Sequence, residues 1–318
     1  MGSRKTDEKP AYRAGFCAII GRPNVGKSTL LNHVLGQKLA IVSPKPQTTR
    51  NRLLGVVNRP DAQIGFWDTP GIHRAKGVLN RYMVEQALGV LGDVDVVLLL
   101  IEPGMVKDPS VPAGVRVEIG EGNEFIVERL RQSGKPVVLG INKVDTVPRN
   151  LLLPVIEAWK DVLPFAAVVP LSAREGENVE GLLGEIVSQL PEGPPIFEED
   201  VLTDAAERRL VAELIREQIL KHTRQEIPHS SAVVIEDFDE SERDGRGLVR
   251  IFARIYVARD SQKAIVIGKG GAMLKRIGTE SRRGIEGLLG ARVFLSLEVT
   301  VEPNWSERGE ALRKLGYT

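Results

Sequence analysis

The fold of the first half of this chain can be predicted from eight consecutive residues, Gly21-Arg22-Pro23-Asn24-Val25-Gly26-Lys27-Ser28. This stretch matches the pattern G-x-x-x-x-G-K-S, directly follows an apolar run at residues 16–20, and leads into a helical pattern that Gly36 ends. This setting is typical of a phosphate-binding P-loop, in which backbone N–H groups and the positive end of the helix dipole face the phosphates. Lys27 can reach the outer phosphates and Ser28 can ligate Mg²⁺. The motif alone does not decide between ATP and GTP.

The apolar runs around this motif predict the fold class. They alternate with helical stretches as far as residue 190, and they occupy residues 16–20, 53–57, 63–67, 94–101, 137–141 and 166–169. Such alternation favours an α/β architecture, the doubly wound and mostly parallel sheet of a P-loop NTPase. Residues 103–124 contain several Pro and Gly residues and fit no regular element, so we expect a surface insertion there.

A second motif, Asp68-Thr69-Pro70-Gly71, follows the strand run at residues 63–67. An acidic side chain at a strand end can hold Mg²⁺ through water. The backbone N–H of Gly71 can contact a terminal phosphate, so the loss of this phosphate would remove a contact of this segment. A D-x-x-G tetrapeptide is weak by itself, but at this distance after a P-loop it indicates the same site.

A third motif, Asn142-Lys143-Val144-Asp145, predicts which purine is bound. A carboxylate only accepts hydrogen bonds, so Asp145 can receive both N1–H and the exocyclic N2–H of guanine, a pair of donors that adenine lacks. If adenine bound instead, the carboxylate would be left unpaired, at a cost on the order of a few kcal/mol. Lys143 can lay its stem over the base. One further segment can supply a backbone N–H to the base oxygen, Leu171-Ser172-Ala173.

The segment Gln47-Thr48-Thr49-Arg50 is expected to be a switch loop, because it follows Pro44 and Pro46 between the first helix and the next strand. A threonine hydroxyl there can join the Mg²⁺ shell only while a third phosphate is present, which orders the loop with GTP and releases it with GDP. The sequence leaves open whether Thr48 or Thr49 does so. The predicted metal ligands are Ser28, Thr49 and Asp68, with Thr48 kept as the alternative to Thr49.

A proline-rich stretch, Pro191-Glu192-Gly193-Pro194-Pro195, marks a domain boundary. We predict an N-terminal tail at 1–14, a nucleotide domain at 15–193, a linker at 194–202 and a smaller α+β domain at 203–318. The second domain has the order α-β-β-α-α-β. Its predicted parts are a helix at 204–222, strands at 231–235 and 248–257 with an acidic hairpin loop between them, a segment at 263–289, and a strand at 293–301.

Within that domain, Gly268-Lys269-Gly270-Gly271 fits the G-x-x-G loop with which KH domains clamp about four nucleotides. The loop follows a strand-like run at 264–267 and begins a helix. Residues 260–292 carry seven Lys or Arg residues against three Asp or Glu residues, which suits a phosphate backbone. A lone G-x-x-G is otherwise a plain turn. The predicted RNA contacts are Lys263, Ile267, Gly268, Lys269, Gly270, Gly271, Lys275 and Arg276.

The composition and the apolar pattern of the chain indicate the cellular compartment of the protein. The formal net charge is +1, and the single cysteine, Cys17, allows no internal disulfide, which fits a reducing compartment. No run reaches the roughly 18 apolar residues of a membrane span. The N-terminus is charged and lacks the apolar core of a secretory signal. We therefore expect a cytosolic protein, with peripheral contact to a membrane left open.

Taken together, these motifs resemble those of the translation-factor-like GTPases, and most closely those of the bacterial Era family, which joins a Ras-like GTPase domain to a type II KH domain. The residues that carry the resemblance are 21–28, 46–50, 68–71, 142–145, 171–173 and the G-x-x-G loop. The resemblance implies GTP, GDP and Mg²⁺ as ligands. It also implies binding to the 3′ end of 16S ribosomal RNA, a role in assembling the 30S subunit, a monomer, and a cytoplasmic location with some association at the inner face of the cell membrane.

The resemblance has two further implications for catalysis. Many GTPases carry a water-orienting glutamine after the D-x-x-G glycine, but here that residue is Ile72, as in the Era family, so slow intrinsic turnover is expected. Similar GTPases with an asparagine at the position of Asn24 bind a potassium ion beside the phosphates. The catalytic residues expected are Asn24, Lys27, Thr48 and Thr49. Two alternatives remain: an RNA-binding scaffold in which hydrolysis is secondary, and a signalling GTPase that recruits a protein.

Overall fold

The first half of the chain forms a mostly parallel sheet. The computed structural model describes residues 11–45, 47–73, 77–107, 115–223 and 227–317. The strands here are β1 (Arg13–Ile20), β2 (Leu53–Asn58), β3 (Ala62–Asp68), β4 (Val96–Ile101), β5 (Met105–Lys107), β6 (Val115–Val117), β7 (Val137–Ile141) and β8 (Ala167–Pro170). Six of them make one sheet in the order β2-β3-β1-β4-β7-β8, in which only β2 and β3 are antiparallel neighbours. The predicted fold class is confirmed.

Helices cover both faces of this sheet. They are α1 (Lys27–Leu35), α2 (Val78–Gly89), α3 (Gly120–Ser133), α4 (Leu152–Trp159) and α5 (Val179–Ser188). The wholly buried β4 shows the layering: Leu98 and Leu100 belong to the core beneath α1 and α5, whereas Val97 and Leu99 belong to the core beneath α3 and α4. Because the carboxyl ends of parallel strands share one edge, the loops that follow β1, β3, β7 and β8 meet there.

The second half builds a smaller α+β unit around three strands. Its elements are α6 (Glu207–His222), α7 (Ile227–Ser230), β9 (Ser231–Asp239), α8 (Arg243–Arg246), β10 (Leu248–Val257), α9 (Asp260–Ile267), α10 (Ala272–Leu289), β11 (Arg292–Val301) and α11 (Gly309–Lys314). The central β10 pairs antiparallel with β9 and parallel with β11. The predicted α-β-β-α-α-β order is present, with the short α7, α8 and α11 added.

Two predictions about local structure in this unit were wrong. The strand-like run at 264–267 is the second half of α9, in which Gln262 and Val266 are buried one turn apart while Ile265 is exposed. A four-residue apolar run cannot distinguish a helix from a strand. The acidic stretch after Ile235 is not all loop, because β9 continues to Asp239 and Arg254 of the neighbouring strand pairs with Glu236 at 3.0 Å.

The expected insertion at 103–124 is more regular than its composition suggests. Strands β5 and β6 pair as an antiparallel hairpin, and α3 already begins at Gly120. The residues between the two strands, 108–114, lie outside the described residues. Partly buried side chains of this hairpin, Met105 and Val117, pack on the core beneath α3 and α4.

The stretch between the two units lies along the sheet edge at β2. Gln63 accepts hydrogen bonds from the backbone N–H groups of Ile196 and Phe197 at 2.7 and 2.8 Å, and Val56 donates to the carbonyl of Leu202 at 2.9 Å. The contacts cover an edge strand that would otherwise present unpaired backbone groups. Of the helices in the described ranges, none has the length and apolarity needed to cross a membrane.

Candidate functional site

The loop between β1 and α1 has a shape that only glycine allows at two positions. A Cβ on Gly21 would overlap the carbonyl oxygen of Leu100, and Gly26 has φ +105° and faces the Asn142 amide. Lys27 is buried beneath the loop and donates to the carbonyls of Gly21 and Arg22 at 3.2 and 3.0 Å. Burial lowers the pKa of Lys27 to about 8, although the Asp68 carboxylate opposes this shift. The loop therefore folds around its own ammonium group.

Three oxygen-bearing side chains meet next to this loop. The Ser28 hydroxyl donates to Asp68 Oδ2 at 2.6 Å and lies 3.0 Å from the Thr49 hydroxyl, which lies 3.4 Å from the same carboxylate oxygen. Burial raises the pKa of Asp68, against the opposing effect of Lys27. The buried Oδ1 of Asp68 has no hydrogen-bond partner within the described part of the chain. Hydroxyl and carboxylate oxygens with one unpaired buried acceptor fit Mg²⁺.

The structure brings Thr49, and not Thr48, to this cluster. The Thr48 hydroxyl bonds instead to the backbone carbonyl of Lys45 at 2.6 Å. The same loop is tied to the P-loop, because the Asn24 amide donates to the carbonyl of Pro44 at 2.8 Å. Asn24 is exposed and has φ +65°.

The D-x-x-G segment lies against the P-loop. A Cβ on Gly71 would come within 2.7 Å of the Pro23 backbone, so no larger residue fits without a shift. Thr69 is buried and donates to the carbonyl of Ile19 at 2.7 Å, and Pro70 is also buried. Ile72 is fully buried in the core, so its side chain cannot orient water at the site.

Asn142 joins the base-reading loops to the P-loop. Its amide nitrogen donates to the carbonyl of Val25 at 2.7 Å, and its amide oxygen accepts from the N–H of Ala173 at 2.8 Å. Lys143, with φ +64°, pairs with Glu102 at 2.7 Å. Asp145 is exposed, so its carboxylate is accessible to a base. A cavity of about 380 Å³ extends from Asn24 and Thr49 to this carboxylate.

Some predicted residues do not line the cavity, and the expected backbone donors to the base oxygen already have partners within the protein. The side chains of Val25, Val144 and Leu171 are buried in or against the core. The N–H groups of Leu171, Ser172 and Ala173 already donate to Ile141, Glu177 and Asn142, respectively. Sequence reasoning missed Arg174, which lines the cavity directly after this segment, and the run Ile41, Val42 and Ser43, which lines it from the other side. The only sequence signal for these residues was their position, since Arg174 directly follows the segment 171–173 and residues 41–43 come shortly before the switch loop.

A second candidate site is the loop between α9 and α10. Gly268, Gly270 and Gly271 have φ values of +74°, +58° and +79°. A Cβ on Gly268 would meet Met273 at 2.7 Å, but at Gly270 and Gly271 it would meet nothing within 4 Å. The last two glycines therefore leave an open surface where another backbone can approach. The basic side chains around the loop are those of Lys269, Lys275 and Arg276, all exposed, and Lys263, which is half-buried beside Ile267.

Comparison with known proteins gives a family for each unit. A family model described as a 50S ribosome-binding GTPase matches residues 16–143, and a KH domain model matches residues 226–306. GTPase Era of Geobacter metallireducens is 50% identical over 96% of this chain and 98% of its own length. The chain belongs to the Era family of GTPases. The Era protein of Lacticaseibacillus paracasei is 48% identical, over 96% of this chain and 97% of its own.

Solved Era structures extend the match to both units. One, of Era in complex with MgGDPNP and nucleotides 1506–1542 of 16S ribosomal RNA, is 40% identical with a TM-score of 0.89, covering 96% of this chain and 99% of its own. Another, an Aquifex aeolicus Era variant bound to GDP and AlF₄⁻, is also 40% identical with a TM-score of 0.87 over the same shares. The family resemblance predicted from the motifs is thereby confirmed.

Proposed function

We propose that this chain is a GTP-binding and GTP-hydrolysing switch that binds the 3′ end of 16S ribosomal RNA and assists assembly of the 30S subunit. The observation that carries the proposal is the match along nearly the whole chain to an Era structure holding both MgGDPNP and 16S ribosomal RNA. Two features of this structure support the proposal. One is the cavity between the P-loop and Asp145, and the other is the exposed glycine loop at 268–271.

In this proposal GTP lies along the cavity with its phosphates on the P-loop. Lys27 and the N–H groups at the start of α1 bind the β- and γ-phosphates, and Asp145 accepts the two guanine donors. Ser28, Thr49 and Asp68 hold Mg²⁺, which when bound neutralises charge on the phosphate oxygens. Water attacks the γ-phosphorus in line, and the bond to the β–γ bridging oxygen breaks to release GDP and phosphate.

Turnover is slow in this proposal because Ile72 is buried and no glutamine follows Gly71. We further propose that a potassium ion bound near Asn24 stabilises the transition state. The Asn24 amide nitrogen is engaged by Pro44, so the amide oxygen is the atom left to face an ion. Single-turnover hydrolysis is to be measured in matched potassium and sodium buffers with wild type and Asn24→Ala. Equal wild-type rates would remove potassium from the proposal.

The glycine loop, Lys269 and the basic residues that follow it form the proposed RNA contact. We expect an RNA of the 16S 3′ end to bind with an affinity that falls as salt rises, because Lys and Arg side chains displace counterions from phosphates. Lys269→Glu should weaken this binding, while the matched reversal at the exposed Arg116 of β6, Arg116→Glu, should not. If neither variant changes RNA affinity, the RNA contact lies elsewhere.

Crosslinking and sequencing of bound RNA with GTP and with GDP tests the whole function. A signalling GTPase would show no salt-dependent RNA binding, and an RNA-binding scaffold would still support 30S assembly with Lys27→Ala, a variant that also weakens nucleotide binding. We also propose that the protein is a cytoplasmic monomer, a fraction of which associates peripherally with the inner face of the cell membrane. Sedimentation and membrane fractionation test these points.

A further inference from the structure

The switch loop that carries Thr49 makes several hydrogen bonds to the C-terminal unit. Arg216 of α6, fully buried, donates to the backbone carbonyls of Gln47 and Thr48. In the opposite direction, Lys45 donates to the carbonyls of Leu220 and Thr223 at the end of α6. The two residues directly before Thr49 therefore have their carbonyls fixed from the other half of the molecule.

Arg50, directly after Thr49, inserts into the C-terminal unit. It is fully buried, and its guanidinium donates to the carbonyl of Ser231 at 2.7 Å and to the Tyr317 hydroxyl at 2.9 Å. It also lies 5.5 Å from the centre of the Trp305 ring and 5.7 Å from that of Tyr317, two rings that stack on each other. Burial lowers the pKa of Arg50, and the interaction with Tyr317 opposes that shift.

Burying a guanidinium is costly unless it has hydrogen-bond partners, and Ser231 and Tyr317 supply partners to Arg50, so this arrangement favours one geometry. If Tyr317 or α6 moves, Arg50 and the carbonyls of Gln47 and Thr48 lose partners together. Thr49 is placed between these fixed neighbours, with its hydroxyl 3.0 Å from that of Ser28. A displacement of the C-terminal unit is thus transmitted along one or two peptide bonds to the Mg²⁺ ligand.

We propose that Arg50, Arg216 and Tyr317 are positioning residues for GTP hydrolysis, through which the segment 305–317 and α6 hold Thr49 at the Mg²⁺ site. The inference rests on the proposed function and deepens it. Because a switch threonine engages Mg²⁺ only with a triphosphate, loosening this contact weakens binding of GTP and leaves binding of GDP unchanged. The C-terminal unit is therefore a built-in part of the GTP-bound state.

The test compares Tyr317→Phe and Arg216→Met with a matched control, Tyr256→Phe. Tyr256 belongs to the same apolar cluster as Trp305 and Tyr317, but its hydroxyl bonds to Glu236 of its own unit at 3.1 Å. For each protein, affinities for a non-hydrolysable GTP analogue and for GDP are measured with saturating Mg²⁺ and with EDTA. Single-turnover hydrolysis and urea unfolding are followed alongside.

We expect both switch variants to lower the ratio of analogue to GDP affinity about tenfold with Mg²⁺, the size of one lost hydrogen bond to a charged group. In EDTA this difference should disappear, and the control should match wild type throughout. A ratio within about twofold of wild type for both variants, or an equal loss for both nucleotides, overturns the inference. Wild-type protein that does not hydrolyse GTP would instead overturn the proposed function, and the inference with it.

Discussion

Replacing Asn142 by alanine should loosen the nucleotide site more than any change to an exposed residue. The side chain is 2% exposed and makes two hydrogen bonds to other loops, one to the carbonyl of Val25 and one from the N–H of Ala173. Removing it leaves both backbone groups buried without these partners. Each lost bond costs roughly 1–2 kcal/mol when its partner stays unsatisfied, so the free energy of unfolding should fall by about 2–4 kcal/mol.

The same change should weaken GTP binding, because the P-loop and the base-reading segment would no longer be fixed relative to each other. If about half of the lost free energy appears in binding, the dissociation constant for GTP should rise roughly 5- to 30-fold. Isothermal calorimetry measures the affinity and urea denaturation the stability. The matched control is Asn58→Ala, since Asn58 is exposed and its amide also makes two hydrogen bonds, to Glu199 and from Gln63.

The control should lose less than about 1 kcal/mol of stability and keep its affinity for GTP, as surface substitutions usually do. A second variant, Asn142→Asp, keeps the acceptor for Ala173 but sets a carboxylate oxygen against the carbonyl of Val25, so it should bind GTP no better than Asn142→Ala. The reasoning is refuted if Asn142→Ala binds GTP and unfolds as wild type does.

Three further results are expected. In the free protein the pKa of Lys27 is about 8, and bound phosphates favour its charged form. Above that pH, GTP binding should therefore take up a proton, and the affinity for GTP should fall as the pH rises further. Calorimetry in two buffers of different protonation enthalpy detects the uptake. Trp305→Ala should lower the unfolding free energy by about 3–5 kcal/mol in urea, since the ring is fully buried; a loss below 1 kcal/mol would contradict its packing role. Gly268→Ala should reduce RNA affinity in filter binding without changing GTP affinity, because φ is +74° and a Cβ would meet Met273; unchanged RNA affinity would show that the loop adapts.

Residues in long periodic runs were predictable from the sequence. The strand at 248–257 has the bounds of β10, and the run 94–101 contains the buried β4, because central strands must be apolar on both faces. The motif residues around the cavity were also predictable, since loops after parallel strands share one edge. Both kinds of prediction, the strands and the motif residues, depend on chemistry that is local to a few consecutive residues.

The remaining features depend on contacts between distant residues. Ala264–Ile267 has strand composition, but only the burial of Val266 against the sheet fixes it as helix. The acidic residues after Ile235 stay extended because Arg254 of the adjacent strand pairs with Glu236. The choice of Thr49 over Thr48 requires knowing where Asp68 lies. No residue near Arg50 in the sequence predicts that Ser231 and Tyr317 are its partners.

The stretch fastened along β2 limits how far the two halves of this molecule can part. Leu202 is hydrogen-bonded to Val56, and α6 begins at Glu207, so only residues 203–206 separate the anchor from the first helix of the C-terminal unit. Four extended residues span at most about 14 Å. A change of nucleotide can therefore rotate the RNA-contacting surface about this anchor, but it cannot move that surface far away from the nucleotide domain. RNA held there would stay within a fixed radius of the hydrolysing centre.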